Sequence, residues 1–212
     1  MHLKRQKAPK SWSVPRKGNK YLAMPSHNQV NSISLIMSLR EILNGISTRK
    51  ELKKVLNEGK IKINGAVVKK INYSLGLFDV LSFENGDYRV SLNEHRKFII
   101  EPIDPKDANS KISKVIGKKI LNNKKMQVNL SDGRNYLSNE EIKTGDSVLI
   151  NLKENKISKI LPLKIKSRVF ITKGKHAGQK GAIAEIVDSG KKKIARLDNK
   201  INVQLENLIV II

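Results

Sequence analysis

Hydrophobic positions first become periodic after Ile33, where Leu35, Ile36, Leu39, Ile42 and Leu43 fall at i, i+1, i+4, i+7 and i+8. They make one apolar face of a helix, which Gly45 ends. Thr48 followed three residues later by Glu51 has the spacing of a capping box, in which hydroxyl and carboxylate each take up an orphan amide of the first turn. A second helix is therefore predicted, with Leu52, Val55 and Leu56 on its apolar side. Arg49, Lys50, Lys53 and Lys54 occupy the other side. These are i,i+4 pairs of like charge, each costing on the order of a few tenths of a kcal/mol in an isolated helix. Tolerated repulsion of this kind points to a negatively charged partner.

Past Gly59 the period changes to two. Lys60 and Lys62 alternate with Ile61 and Ile63, Asn64-Gly65 follows, and Ala66 to Ile71 forms the returning strand. Asn-Gly between alternating runs is a strong hairpin signal because both central residues need positive φ. A further strand enters through Gly76 and carries Val80, Leu81 and Phe83, and the turn Asn85-Gly86-Asp87 leads into the alternating run Tyr88 to Leu92. Residues 29–95 thus read as two helices on a small sheet with a basic surface. After Pro102 and Pro105, short strands recur between turn signals at Asn122-Asn123, Asp132-Gly133 and Gly145-Asp146, the best being Ser147 to Leu152. Residues 96–165 read as a small all-β scaffold. From 166 to 212, a strand through Val169 and Ile171 meets a loop with Gly174, Gly178 and Gly181, and strands near 183–186, 194–197 and 201–205 complete a small barrel. Lys173, Lys175 and Lys180 lie on that loop, where glycine lets backbone approach a phosphate or base edge.

Residues 1–28 follow no period. Pro9, Pro15, Gly18 and Pro25 interrupt them, and Met1 to Arg40 contains no Asp or Glu at all. This segment reads as a basic arm, disordered when free and ordered only against a partner, with Trp12 stacking or packing on the bound surface.

Composition sharpens the picture. The 212 residues include 42 Lys or Arg against 19 Asp or Glu, a net charge of +23 that calls for a polyanion, nucleic acid first and an anionic membrane surface second. Arg49 to Leu56 is too short and too weakly apolar to hold a membrane alone. No apolar run approaches about 18 residues and no apolar signal-peptide core is present, so a soluble, cytoplasmic protein is expected. Aromatic residues are only 4%, which favours phosphate and ribose contacts over extensive base stacking, and hence shape recognition of folded RNA.

Candidate chemistry is sparse. Without cysteine there is no disulfide, thiolate metal site or Cys nucleophile. No P-loop string occurs, and Gly174, Gly178 and Gly181 have the wrong spacing and setting for a dinucleotide fingerprint. Asp79, Asp132, Asp146 and Asp188 sit beside turn residues, where Asp bonds local backbone. His2, His27 and His95 lack metal-ligand spacing, while His176 can stack on a base, contact phosphate or simply be solvated. No catalysis, cofactor, metal or small-molecule substrate is expected.

The blocks His2-Leu3-Lys4-Arg5 and Ala8-Pro9-Lys10-Ser11-Trp12 resemble the opening of the small-subunit ribosomal protein family four-e of archaea and eukaryotes. Leu35 to Leu43, Leu52 to Leu56, Asn57-Glu58-Gly59-Lys60, Asn64-Gly65 and Gly76-Leu77-Phe78-Asp79-Val80 resemble its first module, and Arg168 to Ile186 its KOW motif, with Gly181 at the characteristic glycine. Because the chain stops just after the barrel, it looks more like an archaeal member. The resemblance implies an α+β multidomain fold. Its parts are an extended basic arm (1–28), a helix-helix-hairpin RNA-binding domain (29–95), a central β domain (96–165) and a C-terminal KOW-type, SH3-like barrel (166–212). It further implies a non-catalytic constituent of the small ribosomal subunit, bound to small-subunit ribosomal RNA and neighbouring ribosomal proteins on the outer surface of the subunit body. The expected RNA contacts in the arm are Lys4, Arg5, Lys7, Lys10, Trp12, Arg16, Lys17 and Lys20. In the first module they are Arg49, Lys50, Lys53, Lys54, Lys60, Lys62, Lys69 and Lys70, and on the barrel loop Lys173, Lys175, His176 and Lys180. Competing readings are an RNA-modifying enzyme that docks through the same module, for which the short strands after Pro105 leave little room, and a transcription-elongation factor, supported only by the barrel.

Overall fold

The computed structural model describes residues 2–84, 86–121, 126–188, 190 and 193–212, so the expected turns at Asn85 and at Asn122-Asn123 fall outside the described residues. The chain divides into two compact units, residues 1–109 and 110–212. Strands dominate both.

In the first unit, β1 (His2–Lys4) and β2 (Tyr21–Ala23) form an antiparallel hairpin with Leu3 opposite Leu22. The loop between them is closed by Arg5, whose Nε donates to the Asn19 carbonyl at 2.7 Å and whose Nη1 donates to the Pro15 carbonyl. Trp12 is only 3% exposed, and its indole N–H donates to the Ser32 carbonyl at 2.9 Å. The Ser13 hydroxyl donates to the Phe98 carbonyl at 2.6 Å, and the Phe98 amide donates to the Ser11 carbonyl at 2.8 Å. The expectation of an arm without structure of its own is therefore corrected. Burying a large ring together with its one polar handle gives this stretch an anchor within the chain.

The first predicted helix is also shorter than its apolar pattern. Ser32–Ser34 (β3) pairs with Ser74–Gly76 (β6), leaving one α-helical turn, α1 (Leu35–Met37), that widens into a π turn over Ser38–Ile42. Ser38 donates its hydroxyl to the Ser34 carbonyl at 3.2 Å, a back-bond that competes with regular helix geometry. The apolar face is nonetheless buried at Leu35, Ile36, Met37 and Leu39. A Cβ on Gly45 would stand 2.8 Å from the Phe83 ring, so glycine here permits close packing as well as ending the turn.

Helix α2 (Arg49–Asn57) has the expected capping box, with the Glu51 amide donating to Thr48 Oγ1 at 3.2 Å and the Thr48 amide donating to Glu51 Oε2 at 3.4 Å. Leu52 and Leu56 are fully buried. The same unit holds an antiparallel sheet in the order β5-β4-β7-β8-β9, built from Ala66–Val67, Ile61–Ile63, Val80–Phe83, Gly86–Leu92 and Phe98–Pro102. Asn64 and Gly65 adopt φ of 50° and 80°, as the hairpin demands. The Asn64 side chain donates to Asp79 Oδ1 at 2.8 Å and accepts from the Val80 amide at 3.0 Å, which ties the turn to the start of β7. Asp79 thus serves local backbone geometry, as its turn setting suggested. The return strand is two residues long instead of the expected run to Ile71.

The second unit holds two five-stranded antiparallel sheets. The first follows the order β12-β11-β10-β13-β14, from Asn135–Ser138, Met126–Leu130, Ser110–Ile120, Ser147–Asn151 and Lys156–Leu161. The other follows β18-β17-β16-β15-β19, from Asn202–Gln204, Lys193–Leu197, Lys180–Asp188, Arg168–Ile171 and Leu208–Val210. Its core gathers Val169, Ile171, Ile183, Ala195, Leu197, Val203, Leu208 and Val210. The sheets meet where Ser147 Oγ accepts from the Val210 amide at 2.9 Å, and where the Lys114 ammonium donates to the carbonyls of Leu205 (2.6 Å), Glu206 (3.0 Å) and Leu208 (2.9 Å).

Burial pushes the Lys114 ammonium down to about 8, with nearby Lys173 adding to the shift and Glu206 opposing it. Its folded value lies below the ordinary 10.5, so between pH 8 and 10.5 the unfolded chain holds a proton that the folded chain has released. Stability contributed by this group therefore rises with pH across that window. Urea unfolding at pH 8 and at pH 10.5 should show that rise in the native chain and a smaller one in Lys114→Met; identical pH profiles would contradict this role for Lys114.

Candidate nucleic-acid interface

Alternation in β4 decides which side chains face out. Ile61 and Ile63 are 0% and 2% exposed, so Lys62 between them stands on the outer side of the strand, and Lys60 lies exposed at its start. Helix α2 behaves alike: Leu52 and Leu56 fill the core, while Arg49, Lys50, Lys53 and Lys54 are exposed. Helix and hairpin are joined tightly at Gly59 (φ 70°), and the Lys60 amide donates to the Val55 carbonyl at 3.3 Å. Lys69 and Lys70, just past β5, are exposed as well. The helix, the hairpin and the residues just past it thus expose eight basic side chains.

These cations are not equivalent. Lys60 Nζ lies 2.7 Å from Glu58 Oε2; the hydrogen bond and charge of Glu58 raise the Lys60 ammonium above its ordinary value, and those of Lys60 lower the Glu58 carboxyl. Glu58 therefore cancels part of the local field at Lys60. Among the described residues no carboxylate pairs with Arg49, Lys50, Lys53, Lys54, Lys62, Lys69 or Lys70. At this exposure their charge is held by water, ready to be exchanged for phosphate.

In the arm, Lys4, Lys7, Lys10, Arg16, Lys17 and Lys20 are exposed. Arg5 is only half-exposed and holds the loop with its guanidinium, and a Cβ on Gly18 would touch that group at 3.0 Å. Trp12, expected to meet RNA, is a core residue: its ring faces are covered and its N–H is taken by Ser32, so the expectation is corrected. In the second unit, Lys173, Lys175 and Lys180 are exposed and His176 is half-buried on the loop after β15. Gly174 and Gly178 both have φ 95° there, and the Gly178 amide donates to the Ile171 carbonyl at 2.8 Å, closing the loop. Among the described residues no cluster of three His, Asp or Glu could hold a metal, and no helix is long and apolar enough to cross a membrane.

Comparison with known proteins fits this geometry. The N-terminal domain family RS4NT matches residues 1–27, the S4 domain matches residues 42–81 and Ribosomal family S4e matches residues 84–157. Small ribosomal subunit protein eS4 of Methanocella arvoryzae is 37% identical over 190 residues, spanning 87% of this chain and 80% of the relative. Its namesake from Nanoarchaeum equitans is 34% identical over 205 residues, spanning 93% and 88%. The crystal structure of the 30S ribosomal protein S4e from Thermoplasma acidophilum has the same fold, with a TM-score of 0.77 at 24% identity over 85% of this chain and 95% of that one. Extended identity with archaeal relatives, the S4 segment lying across α2 and the Asn64 hairpin, and the shared fold lead to one conclusion: the chain belongs to ribosomal family S4e.

Proposed function

We propose that this protein is a structural constituent of the small ribosomal subunit in the cytoplasm, where it binds and braces folded small-subunit ribosomal RNA beside neighbouring ribosomal proteins. The observation that carries the reading is the set of exposed basic residues on α2 and its hairpin, alternating with buried Leu52, Leu56, Ile61 and Ile63 inside the segment that matches the S4 domain. In this reading residues 29–95 act as a helix-helix-hairpin RNA-binding module, 96–165 as a central β domain and 166–212 as a KOW-type, SH3-like barrel. The arm of residues 1–28 presents Lys4, Lys7, Lys10, Arg16, Lys17 and Lys20 from a hairpin pinned at Trp12 and Arg5. The barrel loop adds Lys173, Lys175, His176 and Lys180.

Mechanistically, each lysine set on phosphate releases a condensed counterion, and rigid placement restricts binding to RNA whose phosphates match the spacing. Several modest contacts on one chain raise each other's effective concentration and add up to stable incorporation. No step requires a bond to be made or broken. Filter binding of the full chain to small-subunit and large-subunit ribosomal RNA transcribed in vitro tests the reading. Tighter binding to the small-subunit RNA, with steep salt dependence, is expected; equal binding to both RNAs would contradict it.

A further inference from the structure

The first sheet of the second unit has one outer face that charge alone does not explain. Register places Gly117 opposite Asn129 and Asn129 opposite Asn135, while Lys119 pairs with Gln127 and Gln127 with Leu137. Their neighbours Val115, Val128 and Leu130 are buried on the other side. The outer face of β10, β11 and β12 is therefore a ladder of amides, with Lys119 at one end and Leu137, 62% exposed, at its edge. No carboxylate stands among these positions in a chain of net charge +23.

The ladder is also ordered. Gln127 Nε2 donates to Asn129 Oδ1 at 3.1 Å, which fixes both amides and leaves Gln127 Oε1 and Asn129 Nδ2 without a partner among the described residues. Gly117 carries no side chain beside Asn129; even an added Cβ there would come within 3.7 Å of Asn129 Nδ2. A surface of fixed donors and acceptors with a bare glycine between them suits a ligand that itself presents hydrogen-bonding edges.

Its surroundings name the ligand class. Lys114 lies on the same outer side of β10, before the bulge at Val115–Gly117, and holds the Glu206 carbonyl. Adjacent Asn207 accepts both the Thr172 amide at 2.8 Å and the Thr172 hydroxyl at 3.0 Å. Lys173 and the basic glycine loop begin at the next residue. Amide face and basic loop thus flank the same junction on the same side of the sheet.

We propose that the amide ladder of Gln127, Asn129 and Asn135 is a second RNA-binding surface, which takes ribose hydroxyls and base edges while the adjoining loop lysines take phosphates. The assignment rests on the function proposed above and adds a site of a different kind. Amides match the 2′-hydroxyls and base edges that a shallow RNA minor groove or an unpaired strand displays. Being neutral, they release no counterions, so they contribute affinity without salt dependence.

That property gives the test. Full chain, Gln127→Ala/Asn129→Ala and the isosteric Gln127→Glu/Asn129→Asp are titrated with small-subunit ribosomal RNA transcribed in vitro at several salt concentrations, with urea midpoints as the folding control. The alanine pair should lose roughly tenfold in affinity with an unchanged salt slope, each lost bond to a base or ribose edge acting independently of salt. The acidic pair, with two charges set against RNA, should lose more. Full affinity in both folded variants would overturn the proposal, even where Arg49/Lys50/Lys53/Lys54→Gln has lost binding and so upholds the function itself. Unchanged RNA affinity with loss of a neighbouring subunit protein would likewise overturn it, assigning the face to protein. Failure of the native chain to bind this RNA would sink the function and this site together.

Discussion

Replacing Arg49, Lys50, Lys53 and Lys54 together by Gln is expected to weaken binding to small-subunit ribosomal RNA on the order of 100-fold near physiological salt, and to reduce the slope of log K against log salt by about 3. The four side chains are exposed and pair with no carboxylate among the described residues, while Leu52, Leu56 and the Thr48–Glu51 box that build α2 are untouched. Folding should be unharmed. Removing like charges at i,i+4 relieves a small repulsion, so the urea midpoint should stay level or rise slightly. Salt-titrated filter binding alongside urea unfolding checks both halves. Unaltered affinity and slope would move the RNA contact away from α2; a collapsed midpoint would show that the charges serve the fold.

The largest stability effect is expected at Trp12. It is the chain's one tryptophan, 3% exposed, and its indole N–H is bonded to Ser32 beside β3. Trp12→Ala should cost about 3–5 kcal/mol, the range for deleting a large buried aromatic side chain. Trp12→Phe keeps most of the packing but orphans the Ser32 carbonyl, which should cost about 1–3 kcal/mol. Urea unfolding followed by circular dichroism measures both. Native fluorescence should be blue-shifted and move red on unfolding. An emission already matching free tryptophan, with no stability lost in the alanine variant, would return the arm to disorder.

The arm also shows where sequence reasoning stops. Its order depends on bonds from Ser11 and Ser13 to Phe98 and from Trp12 to Ser32, partners that no local pattern announces. Likewise, Ile33 reads as the start of a helix, yet its backbone is claimed by Leu75 in a strand pair across the fold. Features set by neighbouring residues were legible: Thr48 with Glu51 capped α2, and Asn64-Gly65 turned the hairpin because Asn and Gly both take positive φ cheaply. The same division holds at the candidate interface. Alternation of Ile61, Lys62 and Ile63 was enough to point Lys62 outward, whereas the engagement of Arg5 with Pro15 and Asn19 needed the closed loop to be seen. The amide ladder was not legible because Gln127, Asn129 and Asn135 carry no charge, and Asn135 joins the other two only through strand register.

A sucrose-gradient fractionation of source-organism lysate at low and high salt, with this chain located by mass spectrometry, tests the central claim most directly. Stoichiometric presence in the small subunit, retained at salt that strips loosely held factors, is the predicted result. Recovery only from light fractions, free of the subunit at both salts, would contradict a structural place in the ribosome.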